Sequence, residues 1–242
     1  MSLSIIIPCH NEEEVIANTL HNINKSLKDI NFEIILINDF SLDQTYIKFI
    51  ELSKIYKNVI YKNNISRGLG SAINIGINAS NHEYICIFMS DMSDSVEDIK
   101  AYYSLIQSQK LDAVFGSRFI KGSKIIDYPK NKLILNRIFN HVVKILFFSN
   151  YNDFTNAFKI YKKETLLRLF PIVSENFNVF LELPLKIISR KYSYKIIPIN
   201  WTNRKKGLSK FNLKELSSKY IFTLMYCLLE KILLNKKKDL TN

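Results

Sequence analysis

At 242 residues, 47% of them apolar, the chain is long enough for one sizeable α/β domain built on its own core, without disulfide or metal staples. Cys9, Cys86 and Cys227 stand far apart in apolar contexts, which excludes a disulfide scaffold or a zinc module and reads as reduced core thiols in a cytosolic compartment. The net charge of +12 is uneven: residues 1–120 hold ten Lys and Arg against fourteen Asp and Glu, a net −4, while residues 121–242 hold twenty-four against eight, a net +16. Such asymmetry points to an anionic partner met by the second half, whether ligand phosphates, a membrane surface or nucleic acid; a solvated basic surface is the plain alternative.

The opening MSLSIIIPCHNEEE has no charged n-region and turns polar early, so no secretory leader is expected. Ser4–Ile7 reads as a short strand closed by Pro8, after which Asn11-Glu12-Glu13-Glu14 opens a helix with Val15, Ile16, Leu20 and Ile23 on one face. The alternation repeats. Glu33–Ile37 is a strand, Asp39 to Asp43 a polar loop, Thr45–Lys57 a helix and Val59–Tyr61 a strand. Gly68-Leu69-Gly70 punctuates the entry to a helix running to about Ala79, and Tyr84–Met89 makes a fourth strand. Neither glycine belongs to a dinucleotide fingerprint, because Ile73 stands where the third glycine is needed.

This order predicts a mostly parallel sheet with helices on both faces. Ligands of such sheets sit beyond the carboxyl ends of the strands, so the residues after each strand are the ones to collect: Pro8 to Glu12, Asp39 with Asp43, and Ser90 to Asp94. Three acidic loops on one rim imply a cation, since carboxylates meet a diphosphate through Mg²⁺ or Mn²⁺ rather than directly. Asp91, at the strand end, is the expected metal ligand, and Asp39 is placed to accept hydrogen bonds from a ribose or base. A helix N-cap is the competing reading for Asp91 and, more strongly, for Asp94.

Beyond residue 110 the alternation breaks. Asp112–Gly116 reads as a strand followed by Ser117-Arg118, and Tyr128–Phe148 as a long amphipathic helix. Thr155–Tyr161 is an expected strand, Glu164–Leu169 a helical turn, Glu182–Arg190 a helix and Tyr194–Ile199 a strand leading to Trp201. Residues 211–234 form a last helical segment, whose longest uncharged run, Tyr220 to Leu229, is too short for a bilayer that needs about 20 residues. Lys236-Lys237-Lys238 closes the chain with a basic tail.

Taken in order, IIIPCHNEEEVI, EIILINDFSLDQT, NNISRGLGSAINIG, YICIFMSDMSD, GSRF, DFTNAFKIY and NRKKGLSKF resemble the family 2 glycosyltransferases, most closely the dolichyl- or polyprenyl-phosphate sugar synthases. The likeness spans residues 3–212, and its specificity lies in the ordered set. It implies a GT-A fold over residues 1–210, with 211–242 as a C-terminal amphipathic helix and basic tail, and an inverting transfer from a nucleotide-sugar with a divalent ion on the diphosphate. The nucleotide-sugar pocket implied is Pro8, His10, Glu12, Ile37, Asp39, Ser90, Asp91 and Ser93. Arg118, Arg204 and Lys210 are the cations implied for an acceptor phosphate or the departing diphosphate. One departure stands out: where the family shows Asp-x-Asp, this chain has Met89-Ser90-Asp91, which bears on metal affinity and leaves a weakly active subunit as an alternative.

A polyprenyl phosphate is already an anionic nucleophile and needs no strong base. A saccharide hydroxyl, the alternative acceptor, needs a carboxylate or His to take its proton, and Asp153, with Asp94 second to it, is the candidate, a turn or cap being the plain reading of Asp153. Residues 130–148 and 214–238 combine apolar faces with basic residues, which predicts peripheral contact at the cytoplasmic face of a membrane, with core or dimer helices as the alternative. A membrane-protein partner or homo-oligomer is the further expectation. No basic helix interleaved with aromatics is present, so nucleic acid is not an expected partner.

Overall fold

The computed structural model describes residues 2–203 and 213–239. In chain order its elements are β1 (Leu3–Cys9), α1 (Ile16–Ser26), β2 (Phe32–Asn38), α2 (Thr45–Ile55), β3 (Val59–Asn63), α3 (Leu69–Ala79), β4 (Tyr84–Ile87), α4 (Val96–Ser108), β5 (Ala113–Ser117), β6 (Lys124–Ile126), α5 (Lys130–Phe147), β7 (Lys159–Lys162), α6 (Lys163–Arg168), α7 (Val179–Ser189), β8 (Tyr194–Pro198), β9 (Asn200–Thr202) and α8 (Leu213–Asp239). A seven-stranded sheet runs β3-β2-β1-β4-β7-β5-β8, and β6 pairs with β9 in a small parallel ribbon. Within the large sheet only β7 is antiparallel, to both β4 and β5.

β1 is central and every one of its residues is buried. Its side chains alternate between two cores: Ile5 and Ile7 face α1, α2 and α4 through Leu20, Phe49 and Ile99, whereas Ile6 faces α3 through Ile73 and Ile77. A strand covered on both sides reads as an unbroken apolar run, which is why IIIPC shows no period of two. Cys9, Cys86 and Cys227 are buried thiols, not joined in disulfides.

Several expected bounds shift. β4 ends at Ile87 because its pairing with β7 ends there, and β7 begins at Lys159, leaving residues 155–158 as loop rather than strand. α1 starts at Ile16, because Asn11 takes a left-handed conformation (φ 54°) and the acidic residues after it form a turn. α7 begins at Val179, ahead of the expected start at Glu182. The β6–β9 ribbon, three residues a strand, was not expected from sequence.

Candidate active site

The carboxyl ends of β1, β2 and β4 meet at one rim, because these three strands are neighbours in the sheet. Pro8, His10, Glu12, Asp39, Asp91 and Ser93 all line a cavity of about 810 Å³ there, joined by Cys9, Met89 and Asp94. Two expected pocket residues do not line it. Ile37 is fully buried in the core beneath α3, and Ser90 is buried with its carbonyl accepting from Thr19 Oγ1 at 2.7 Å.

The first two rim loops brace each other. Asn11 Oδ1 accepts from Leu42 N (2.7 Å), Glu12 N donates to Thr45 Oγ1 (2.8 Å), and Gln44 N donates to Glu13 Oε2 (2.7 Å). His10 Nδ1 lies 2.6 Å from the Asp39 carbonyl oxygen. A carbonyl only accepts, so Nδ1 is the nitrogen that carries a proton at this contact.

Asp39 is held from the other side. Its Oδ1 accepts from Gly68 N at 2.9 Å and from Asn64 Nδ2 at 2.8 Å. The Gly68 loop is pressed against residues 174–175: Gly70 N donates to Glu175 O at 2.8 Å, and a Cβ on Gly70 would lie 1.8 Å from Ser174 O. Gly68 adopts φ +140°, so these glycines serve backbone approach and conformation, as close packing against another chain segment requires. Segment 173–174 is fixed in turn by the buried Glu182, whose carboxylate accepts from Val173 N (3.0 Å) and Ser174 N (2.8 Å) and pairs with the equally buried Lys186 at 2.7 Å.

At the β4 end neither Asp91 nor Asp94 caps α4. Ser95 is the N-cap, its Oγ accepting from Glu97 N at 3.3 Å. Asp91 Oδ1 accepts from Ser93 N at 3.1 Å in a local turn that aims the carboxyl group at the cavity. Asp94 is only 4% exposed and its Oδ1 has no hydrogen-bond partner among the described residues. Burial first, and the neighbouring Asp91 charge second, push its pKa up to about 8.

Among the described residues no group of three or more His, Cys, Asp or Glu converges on one point. An all-protein cage is therefore not what these residues offer. One cavity-facing carboxylate, Asp91, backed by the unpartnered Asp94 oxygen, fits a Mg²⁺ or Mn²⁺ ion that takes one or two protein ligands and completes its shell with phosphate oxygens and water.

The second half of the chain builds the opposite wall. Arg118, at the end of β5, and Asp153 form a buried bidentate pair, Nε to Oδ2 at 2.8 Å and Nη2 to Oδ1 at 2.7 Å, and Asp153 Oδ2 also accepts from Arg118 N. Both oxygens of the carboxylate expected as a base are thus committed to Arg118, and the fully buried Asp153 is not among the residues that line the cavity. Burial opposes the Arg118 charge, but Asp153 outweighs it and raises the guanidinium above its ordinary pKa. Arg118 lines the cavity and lies 5.3, 5.6 and 5.7 Å from the rings of Phe119, Tyr128 and Trp201. Arg204 and Lys210 lie outside the described residues.

Sequence reasoning missed several wall residues: Arg67 beside Gly68, Lys132 and Asn136 one turn apart on α5, and Phe177 and Phe180 around the start of α7. The i, i+4 spacing of Lys132 and Asn136 was the available signal. Leu135, Phe139, Tyr220 and Ile221 carry the cavity out between α5 and α8. There both helices expose apolar residues, Ile134, Leu135, Ile138, Val142 and Ile145 on α5 and Phe222, Met225, Leu229 and Ile232 on α8. No described helix is long and apolar enough to cross a membrane.

Comparison with known proteins agrees with this arrangement. The family model "Glycosyl transferase family 2" matches residues 4–170. Among curated relatives, the dolichol-phosphate mannosyltransferase of Pyrococcus furiosus is 27% identical over 232 residues, 93% of this chain and 64% of that protein. The probable glycosyltransferase YdaM of Bacillus subtilis is 37% identical over 133 residues, 51% of this chain and 31% of its own. The chain therefore spans less than two thirds of the length of these relatives. Among solved structures, glucosyl-3-phosphoglycerate synthase from Mycobacterium tuberculosis, in complex with Mn²⁺, uridine-diphosphate and phosphoglyceric acid, superposes with a TM-score of 0.73 at 16% identity, covering 94% of this chain and 78% of that one. The likeness establishes the fold.

Proposed function

We propose that this chain, which belongs to glycosyl transferase family 2 and has the GT-A fold, moves a sugar from a nucleotide-sugar donor to a polyprenyl phosphate at the cytoplasmic face of a membrane. The observation that carries the acceptor assignment is the two-ended cavity. One end is walled by Asp39 and Asp91, and the other runs out along Leu135, Phe139, Tyr220 and Ile221 onto the exposed apolar faces of α5 and α8.

The donor lies along the rim. Asp39 and Asp91 follow β2 and β4 with β1 between them, about 10 Å apart by strand spacing, which suits a base at Asp39 and a diphosphate at Asp91. A divalent ion, Mg²⁺ or Mn²⁺, would be held by Asp91 and would supply Lewis-acid stabilisation of the leaving diphosphate. Manganese accompanies uridine-diphosphate in the mycobacterial structure, which supports a divalent metal as part of the reading.

The acceptor enters from the α5–α8 side. Lys132 and Arg118 line its path and would bind its phosphate, with Arg204 and Lys210 as further proposed cations. A phosphate oxygen attacks the anomeric carbon, the new carbon–oxygen bond forms on the face opposite the diphosphate, and the bond to the diphosphate breaks with inversion. No proton has to be removed. That is consistent with the expected base Asp153 being locked in its pair with Arg118.

The exposed apolar residues of α5 would rest on the lipid. α5 carries Lys130, Lys132, Arg137 and Lys144 and no acidic residue, so it complements an anionic leaflet. The test offers polyprenyl phosphate in anionic vesicles, a set of nucleotide-sugars and Mn²⁺, and reads release of nucleoside diphosphate with formation of the lipid-linked sugar. Transfer only to free saccharide hydroxyls overturns the acceptor; no transfer with any donor overturns the enzyme reading.

A further inference from the structure

The wall that carries Asp39 is fastened by the C-terminal half of the chain. Asp39 Oδ1 takes its hydrogen bonds from Gly68 N and Asn64 Nδ2, and Asn64 Nδ2 also donates to Gly68 O at 3.1 Å, so the Gly68 loop holds this carboxyl group. That loop closes on backbone. A Cβ on Gly68 would lie 2.3 Å from Glu175 O, just as one on Gly70 would run into Ser174 O. Whatever fixes Ser174 and Glu175 therefore fixes the support on which Asp39 rests.

Glu182 holds the backbone of this segment at Val173 and Ser174, and a buried polar junction holds its side chains. Asn178 Oδ1 accepts from Asn176 N at 3.2 Å, which turns Nδ2 toward two hydroxyls, Ser174 Oγ and Thr223 Oγ1, each at 2.9 Å. The two hydroxyls stand 3.2 Å apart and close the triangle. Ser174, Asn178 and Thr223 are 2%, 5% and 0% exposed, so a partner lost there leaves a polar group unpaired in the interior. None of the three lines the cavity. Thr223 is the vertex that comes from α8, and one turn before it Tyr220 donates to Phe177 O at 3.2 Å. We propose that Thr223 is a positioning residue of the donor site, an assignment that rests on the donor lying at Asp39. Through Asn178 and Ser174 it holds the backbone on which the Gly68–Gly70 loop closes, and so sets the carboxylate that faces the nucleotide. Helix α8, whose outer face rests on lipid in the proposed function, thereby shapes the donor subsite with its inner face.

The experiment titrates the full chain with a set of nucleoside diphosphates and Mn²⁺ by calorimetry, as the parent, Thr223→Val, Thr223→Ser and Thr165→Val, with melting temperatures recorded for each. Thr165→Val is the control: Thr165 is also buried, its Oγ1 donates to Asp112 Oδ1 at 2.7 Å at the opposite end of the sheet, and it does not line the cavity. Thr223→Val should weaken the best-bound diphosphate about fivefold or more, the worth of one hydrogen bond that preorganises the site. Thr223→Ser, which keeps the hydroxyl, should restore the affinity. Thr165→Val should lower the melting temperature without moving nucleotide affinity. If Thr223→Val does not fold, Ser174→Ala, which removes another vertex of the triangle, replaces it with the same expectation. A Thr223→Val chain that melts earlier yet binds nucleotide as the parent does overturns the inference and leaves the donor site standing. Equal weakening by Thr165→Val overturns it as well, because affinity then follows stability alone. A parent chain that binds no nucleoside diphosphate overturns the donor reading itself, and the role of Thr223 with it.

Discussion

Arg118 grips Asp153 through both carboxylate oxygens, with side chains 7% and 0% exposed, and the two residues come from loops 35 positions apart in the chain. The pair stands between the aromatic rings at the cavity wall and the loop that carries Thr155 and Asn156 into the cavity. Removing one member leaves a buried charge uncompensated. Asp153→Asn should therefore destabilise the fold by about 3–5 kcal/mol in urea denaturation. The double variant Arg118→Met/Asp153→Leu should lose less stability than the two single losses summed. A base role for Asp153 would instead predict lost turnover in a stable protein.

Lys159 lies behind that pair, 1% exposed, donating to the carbonyls of Phe154 (3.1 Å), Asn156 and Phe180 (3.4 Å). Burial, with Arg118 adding repulsion, lowers its pKa from 10.5 to about 7, while Asp153 and Asp94 pull the other way. Between pH 7 and 10.5 the unfolded chain thus binds a proton that the folded chain does not. This group makes stability rise with pH in that window, by up to about 1.4 kcal/mol per pH unit, and its cost is complete below pH 7. Lys159→Met should flatten the difference, measured as urea-unfolding free energy from pH 7 to 10 beside the parent.

Much of this site was legible because strand ends announce themselves. Asp39 and Asp91 follow apolar runs too short and too β-branched or aromatic to be helices, and the alternation with helices places both on one rim. What escaped was non-local. Nothing near Gly70 in the sequence names Ser174 and Glu175 as the backbone that presses on it, and GSR gives no sign that its arginine closes on Asp153. The β6–β9 ribbon is too short to show a period, and β7 reads as an ordinary strand whose reversed direction is set by its neighbours. Ile37 was implied as a pocket residue by the family resemblance, whereas its side chain lies in the core beside α3.

The closest backbone approach in the donor wall is a test of its own. A Cβ at Gly70 would lie 1.8 Å from Ser174 O and 2.9 Å from Glu175 C, and backbone cannot yield as a flexible side chain would. Gly70→Ala should cost about 1–3 kcal/mol by overpacking. Because Gly68 in the same loop holds Asp39, nucleotide affinity should fall together with the melting temperature.

Met89 lines the cavity two residues before Asp91, on the chain that leaves β4. A carboxylate there would add an oxygen to a donor set that now rests on Asp91, with Asp94 behind it. Met89→Asp should tighten Mn²⁺ binding in the presence of nucleoside diphosphate by about tenfold or more, read by calorimetry. Asp91→Ala should abolish metal-dependent thermal protection; if protection persists unchanged, the metal lies elsewhere.

The apolar faces of α5 and α8 give the last prediction. Ile138, Val142 and Ile145 on α5 and Met225 and Leu229 on α8 are exposed, and the cavity opens between the two helices through Leu135 and Ile221. An interfacial helix gains its affinity from apolar burial plus attraction to anionic lipid, so a charge placed in the apolar stripe should remove both at once. Ile138→Asp with Met225→Asp should cut pelleting with phosphatidylserine vesicles about tenfold or more, and leave binding of soluble nucleotide unchanged, because neither residue touches the donor end. Raising salt should weaken the parent's binding through Lys130, Lys132, Arg137 and Lys144 without abolishing it. If vesicle binding survives the substitutions while a dimer falls to monomer in sedimentation, the face joins two copies of the chain, and the acceptor must reach Arg118 by another path.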